Sequence, residues 1–147
     1  RQVAPRLEAA PAWLSSLSEA LYRDSALPFS ARLRLLVALG SLRTEPAELL
    51  LRETLSGDPQ AAARRYAARS LGAFSSDAAR QTLRSALSDT DPGVRKELVS
   101  ALGNHPTALD LDQIVTVANT DTWPQVRASA LQALVHTCLR PAAAEQR

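Results

Sequence analysis

A unit of 31 or 32 residues recurs along this chain, and that repetition constrains the fold more than any single residue does. The segments FSARLRLLVALG (29–40), DPQAAARRYAARSLG (58–72), DPGVRKELVSALG (91–103) and WPQVRASALQALV (123–135) share one register. In that register Arg32, Arg64, Arg95 and Arg127 coincide, at spacings of 32, 31 and 32 residues. Just ahead of each Arg stand Ala31, Ala63, Val94 and Val126. Leu35, Ala67, Leu98 and Ala130 follow one helical turn on, and Leu39, Leu71, Leu102 and Leu134 a turn beyond those. Small or apolar side chains at i, i+4 and i+8 line one face of an α-helix.

The punctuation fits that reading. Asp58-Pro59 and Asp91-Pro92 put a capping carboxylate before a proline whose missing N–H costs nothing in a first turn. Gly40, Gly72 and Gly103 are expected to end their helices in a left-handed conformation. Val135 stands at that place in the last unit, so its helix should run on to about Leu139, ahead of Pro141. A second set of helices is expected over 46–56, 76–88 and 107–119. Leu51 with Leu55, Leu83 with Leu87, and Ile114 with Ala118 mark their apolar sides, and Ser76, Asp77 and Thr107 are the candidate caps. One more helix over 7–23 would carry Trp13, Leu14, Leu17 and Leu21 on one face. Composition agrees, because 27 Ala and 24 Leu against nine Val and Ile favour helix over strand.

About eight helices in pairs, repeating at this period, define an all-α solenoid, in which each pair buries its apolar face only by stacking on its neighbours. The expected units are about 28–57, 58–90, 91–121 and 122–140. The pattern D-P-x-V-R, then apolar positions, then A-L-G, resembles the short bacterial, PBS-lyase-like type of HEAT repeat. Residues 91–103 match it nearly letter for letter, and the resemblance covers roughly residues 28–139. It implies a superhelix whose second helices line the concave face. It also implies a ladder in which Arg64, Arg95 and Arg127 meet Asp58, Asp91 and Asp121. Deoxyhypusine hydroxylases, one enzyme class among HEAT arrays, bind a diiron centre through His-Glu pairs, and no His-Glu dipeptide occurs here. Bilin lyases also resemble short HEAT arrays, but their chemistry leaves no local motif to match, and the tetratricopeptide pattern of Trp, Gly and Tyr is missing.

The remaining residues exclude more than they assign. With 17 basic and 15 acidic residues the chain is nearly neutral, which argues against a nucleic-acid footprint. Only residues 59–96 are locally basic, and Tyr66 shares a helix there with Arg65 and Arg69. Arg65 and Arg69 on that stretch should face outward. The five glycines are scattered, so no phosphate loop exists. His105 falls in a loop, and His136 and Cys138 sit two apart on a helix with no third ligand, so neither metal nor cofactor is expected. A lone cysteine forms no intrachain disulfide, and no apolar run is long enough for a membrane span.

The reading reached from sequence is a non-enzymatic interaction module. A protein partner would bind along the concave helix row, through Arg52, Arg80, Gln81, Arg84 and Gln113 as exposed polar groups. Two alternatives stay open: an array reading nucleic-acid or other phosphates through the same arginines, or a helical domain of a lipid-carrying protein. Trp13 is expected in the core or a cap, and Trp123 as a staple at a helix start. The last helix leaves Leu131, Leu134, Val135 and Cys138 in need of cover. The chain is therefore expected to be a segment of a longer protein or to pack on another copy.

Overall fold

The structure is a computed structural model and describes residues 12–140. Among these residues eight α-helices follow one another: α1 (Ala12–Arg23), α2 (Phe29–Leu42), α3 (Glu45–Gly57), α4 (Ala61–Leu71), α5 (Asp77–Ser85), α6 (Pro92–Leu102), α7 (Ala108–Thr120) and α8 (Pro124–Leu139). A single 3₁₀ turn, Ala86–Ser88, extends α5, so the helix expected over 76–88 changes pitch in its last turn. There is no strand among the described residues. The part of the N-terminal helix expected over 7–11 and the Leu14 side chain lie outside them.

The arrangement is the expected all-α solenoid. Helices α2, α4, α6 and α8 form one row, each packing on the next, and α3, α5 and α7 form a second row. The seam between the rows is aliphatic: Leu36, Leu39, Leu51, Leu71, Leu98, Val99 and Ile114 are fully buried in one continuous cluster. Each such side chain, removed from water, stabilises the fold by roughly 1.5–3 kcal/mol.

The second-row helices start on capping hydroxyls, Ser76 and Thr107 as expected and Thr44 in addition. Thr44, Ser76 and Thr107 accept hydrogen bonds from the N–H groups of Ala47, Ala79 and Asp110. The Thr107 cap is reciprocal, since the Asp110 carboxylate accepts from the Thr107 N–H at 2.8 Å. Asp77 lies inside α5 rather than capping it. In the first row, Asp91 caps α6 through the Val94 N–H at 2.9 Å. Asp58 does not cap α4, because α4 starts later, with Gln60 at its N-cap. Asp58 turns the chain instead, accepting from the Gln60 N–H at 2.9 Å.

The glycines differ from expectation. Gly72 and Gly103 follow α4 and α6 with right-handed helical backbone angles, and Gly40 lies inside α2, which runs on to Leu42. The one left-handed residue among those described is Arg43, which ends α2. Glycine is required for close approach. A Cβ on Gly40 would lie 2.9 Å from the Ser70 Cβ, and one on Gly103 would lie 2.9 Å from the Ala133 Cβ. A Cβ on Gly72 would lie 3.1 Å from the Ala101 Cβ. Successive first-row helices thus meet glycine against a small side chain of the next unit.

Trp13 was expected in the core or a cap and is 65% exposed. Among the described side chains of α1, Ser18 and Tyr22 are buried, while Leu17 and Leu21 of the expected apolar face remain exposed. Trp123 is the N-cap residue of α8 and half-exposed. The last helix ends at Leu139 as expected; Leu134 packs on the core, while Leu131, Val135 and Cys138 are exposed.

Candidate functional site

The second row carries all five residues singled out for partner binding, and the structure separates them. Gln81 stands exposed on α5. Arg80 and Arg84, a turn apart on α5, both turn to Asp110 of α7. Arg84 donates to Asp110 Oδ1 at 2.7 Å, and the Arg80 Nε lies 3.8 Å from Oδ2. Their side chains retain only 17% and 20% of their exposure, and Asp110 has none. Arg52 on α3 pairs with Glu48 at 3.5 Å, and Glu48 in turn accepts from the Ser76 hydroxyl at 2.6 Å. Gln113 is half-buried, its amide oxygen shielded from solvent.

These four side chains were expected as exposed groups; Arg52, Arg80 and Arg84 are instead held in ion pairs, and the Gln113 amide oxygen is buried without a hydrogen-bond partner among the described residues. The signal lay in the sequence: the third residue of each second-row helix is Ala47, Ala79 and then Asp110. A carboxylate at a position that packs against the core needs cations, and Arg80 and Arg84 one unit earlier supply them. Burial pushes the Asp110 carboxyl up, but the Thr107 N–H and the Arg84 guanidinium outweigh it and hold the group below the usual range.

With these charges paired, the outward side of the second row is mild. It shows Leu49 and Glu53 on α3, Gln81 on α5, and Asp112, Val115 and Asn119 on α7. Two of those six are carboxylates, and one of them, Glu53, already pairs with Arg23 of α1 at 2.9 Å. Arg65 and Arg69 are exposed on α4 as expected, with Arg69 3.6 Å from Glu97.

The ladder exists in a register different from the expected one. Arg32 reaches Asp58 at 3.7 Å, Arg64 forks onto Asp89 at 2.8 and 3.0 Å, and Arg95 forks onto Asp121 at 2.7 and 3.0 Å. Each Arg therefore reaches the aspartate that stands just ahead of the next first-row helix. Asp89 takes the rung assigned to Asp91, because Asp91 is occupied in capping α6. The ladder aspartates share a second feature. Asp58, Asp89 and Asp121 lie six residues before Arg64, Arg95 and Arg127, whose guanidinium groups also donate to the aspartates' backbone carbonyls. Burial raises the Asp89 carboxyl, and Arg64, the Asp91 N–H and Arg95 together more than reverse it; Arg95 holds Asp121 low against a smaller burial effect. At the first rung Arg32 also lies 4.8 Å over the Tyr22 ring, and the Tyr22 hydroxyl donates to Asp58 at 2.9 Å.

No group of three or more His, Cys, Asp or Glu among the described residues could hold a metal ion. His105 lies exposed between α6 and α7, and His136 lies exposed on α8. A hollow of about 530 Å³ opens between the ends of α3 and α5, but its guanidinium, Arg64, is already committed to Asp89. No described helix is long and apolar enough to cross a membrane.

Stacked antiparallel helix pairs, joined by an arginine–aspartate ladder and an unbroken aliphatic seam, define an α-solenoid repeat protein. The family model for HEAT repeats matches residues 47–135, and the chain belongs to that family. Its structure is similar to that of human deoxyhypusine hydroxylase, solved in complex with glycerol, with a TM-score of 0.70 and 29% sequence identity. The likeness covers 84% of this chain and 43% of the hydroxylase, so the chain spans less than half that protein's length. No curated protein sequence matches the chain.

Proposed function

We propose that this chain is a non-enzymatic HEAT-repeat module that binds a protein partner along the outward side of α3, α5 and α7. The observation that carries this reading is the internal pairing of the row's cations. A surface that reads phosphates keeps its guanidinium groups free to reach the backbone. Here Arg52, Arg80 and Arg84 are spent on Glu48 and Asp110. What remains outward mixes exposed aliphatic side chains with small polar ones, the composition of a protein-binding surface with few charges at its centre. The partner contacts are therefore assigned to Leu49, Gln81 and Val115, with Arg52, Arg80, Arg84 and Gln113 beneath them as support.

The hydroxylase likeness does not extend this reading to catalysis. The sequence holds two histidines, His105 and His136, in separate places, and no His-Glu dipeptide.

Affinity capture from an extract of the source organism, with the chain and an L49R/Q81R/V115R variant side by side, tests the proposal. The three positions are exposed, so the variant should keep its helix content by circular dichroism. A specific protein retained by the natural chain and lost by the variant is the expected result. Capture that is unchanged in the variant removes the row as the interface. Binding of a single-stranded oligonucleotide that weakens steeply with salt would favour the phosphate reading instead.

A further inference from the structure

Several departures from the repeat meet at one joint of the first row. In the shared register Ser70 of α4 stands where the other units have Ala38, Ala101 and Ala133. Arg69 stands where they have Val37, Ser100 and Gln132, and Ala73 where the next unit has Asn104. At the joint between α4 and α6 the Asn104 side chain fills the space beside Gly72 and donates to the Gly72 carbonyl at 3.2 Å. The joint between α2 and α4 has Ala73 in that place and no such plug. A hollow of about 400 Å³ opens there instead. Gly40 and Ala73 give it an apolar side, and Ser41, Arg43, Arg69 and Ser70 a polar one.

The polar groups of the hollow are uncommitted. Ser70 is 7% exposed, and its hydroxyl stands 3.2 Å from where a Cβ on Gly40 would lie. That hydroxyl lines the hollow and makes no hydrogen bond among the described residues, a cost that the alanine of the other units does not carry. Arg43 has no ion pair among the described residues. It also holds a left-handed backbone at the end of α2, a position that glycine takes without strain. Arg69 comes within 3.6 Å of Glu97 but stays 68% exposed, so that contact is readily exchanged. No carboxylate lines the hollow, and neither α2 nor α4 contains an acidic residue. The helix ends oppose a negative ligand only weakly. A helix C-terminus carries roughly half a negative charge, and the last four carbonyls of α4 already accept from the N–H groups of Gly72, Ala73 and Phe74. Two whole guanidinium charges outweigh what is left.

We propose that this hollow binds the phosphate group of a small phosphate monoester. Arg43 and Arg69 supply the charge and the paired N–H donors that suit phosphate oxygens. The hydroxyls of Ser70 and Ser41 add two further donors, and the side formed by Gly40 and Ala73 takes the carbon of the ester. A carboxylate offers two oxygens to these four groups, whereas a phosphate monoester offers three terminal oxygens and a larger charge. The volume is that of a small-molecule site. It lies on the first row and does not depend on the partner surface assigned to α3, α5 and α7.

Isothermal titration calorimetry of the 147-residue chain with phenyl phosphate tests this. One saturable site with a Kd on the order of 1 mM or tighter is expected, and inorganic phosphate should compete for it. Arg43→Gly and Arg69→Ala should each weaken binding at least about tenfold, and Ser70→Ala about five- to tenfold. Arg43→Gly and Ser70→Ala should at the same time raise the melting temperature, since one relieves a strained backbone and the other removes an unpaired hydroxyl. Loss of binding then reads the site and not the fold. Ala73→Asn copies the plug of the next joint and should abolish binding with both guanidinium groups in place. Arg34→Ala removes an exposed charge of α2 outside the hollow and should leave the affinity unchanged. No binding of phenyl phosphate at about 10 mM overturns the proposal. So does binding that survives Arg43→Gly and Ser70→Ala, or that Arg34→Ala weakens as much as Arg43→Gly does. A single-stranded oligonucleotide that displaces phenyl phosphate at a lower concentration overturns it too, because the arginines would then read a polymer's phosphates.

Discussion

Gly40 and Gly57 are indistinguishable as letters in a helical stretch, and their surroundings give them opposite roles. A Cβ at Gly40 would meet the Ser70 Cβ at 2.9 Å and its Cα at 3.2 Å, so two helix backbones would have to separate. At Gly57 a Cβ would meet nothing within 4 Å, and the backbone there is not left-handed. Gly40→Ala should therefore cost about 1 kcal/mol, because overpacking of ~1–3 kcal/mol exceeds the ~1 kcal/mol that alanine gains inside a helix. Gly57→Ala should be neutral or stabilise by up to ~1 kcal/mol. Urea denaturation of both variants decides it, and equal effects would mean that the joint between α2 and α4 yields freely. The sequence marked Gly40, Gly72 and Gly103; Gly72 and Gly103 do end their helices, but with right-handed angles, and Gly40 lies inside α2, so the left-handed reason fails. Helix-ending glycine is the commoner use, and close approach depends on Ser70, Ala101 and Ala133, which lie some 30 residues away and become neighbours only when the units stack.

At the scale of the element, the arginine ladder shows how a repeated residue can carry unequal weight. Arg95 and Asp121 are 12% and 7% exposed, and each makes two good hydrogen bonds to the other. Arg95→Ala strands the Asp121 carboxylate and should destabilise by about 2–3 kcal/mol. Arg127→Ala removes hydrogen bonds to carbonyls alone and should cost under about 1 kcal/mol in dilute solution. Thermal unfolding of the two variants measures the difference, and parity between them would deny the ion pair its role. The same contacts set the response to acid. Asp89, Asp110 and Asp121 have carboxyls lowered in the folded chain, so they stabilise it above the ordinary aspartate value of about 3.9. That contribution is lost as pH falls through the lowered folded values, and stability should drop steeply below about pH 4. In Arg95→Ala the drop should be shallower, and an unaltered acid limb would break the link. The repeating arginines and the helix pairs were legible in the sequence because both depend on local period. The register of the ladder was less so, since Asp91 fits the Asp-Pro signal while Asp89 shares the six-residue offset. The burial of Arg80 and Arg84 was hidden behind a single substitution, Asp110 where Ala47 and Ala79 stand in the other units.

For the whole molecule, a linear stack means that no residue's stability depends equally on all the others. Helices α4 and α6 are covered on both sides along the row, and Ala67, Ala68, Leu71, Leu98 and Val99 are wholly buried between neighbours. Helices α1 and α8 have one neighbour each along their rows and carry the most exposed large apolar side chains, Trp13 and Leu139. Stability in such an array is close to a sum of unit and interface contributions, so opening should begin at the ends and move inward. Amide hydrogen exchange should show the slowest exchange in α4 and α6. Protection in α1 and the second half of α8 should be at least about tenfold lower, a difference of ~1.4 kcal/mol in opening free energy. Leu98→Ala should lower protection in α4, α6 and α8 together, because that side chain sits in the seam they share. Trp13→Ala should leave the centre untouched. Uniform protection across all eight helices would show instead that the units open as one body, and the end faces would then be as firmly held as the seam.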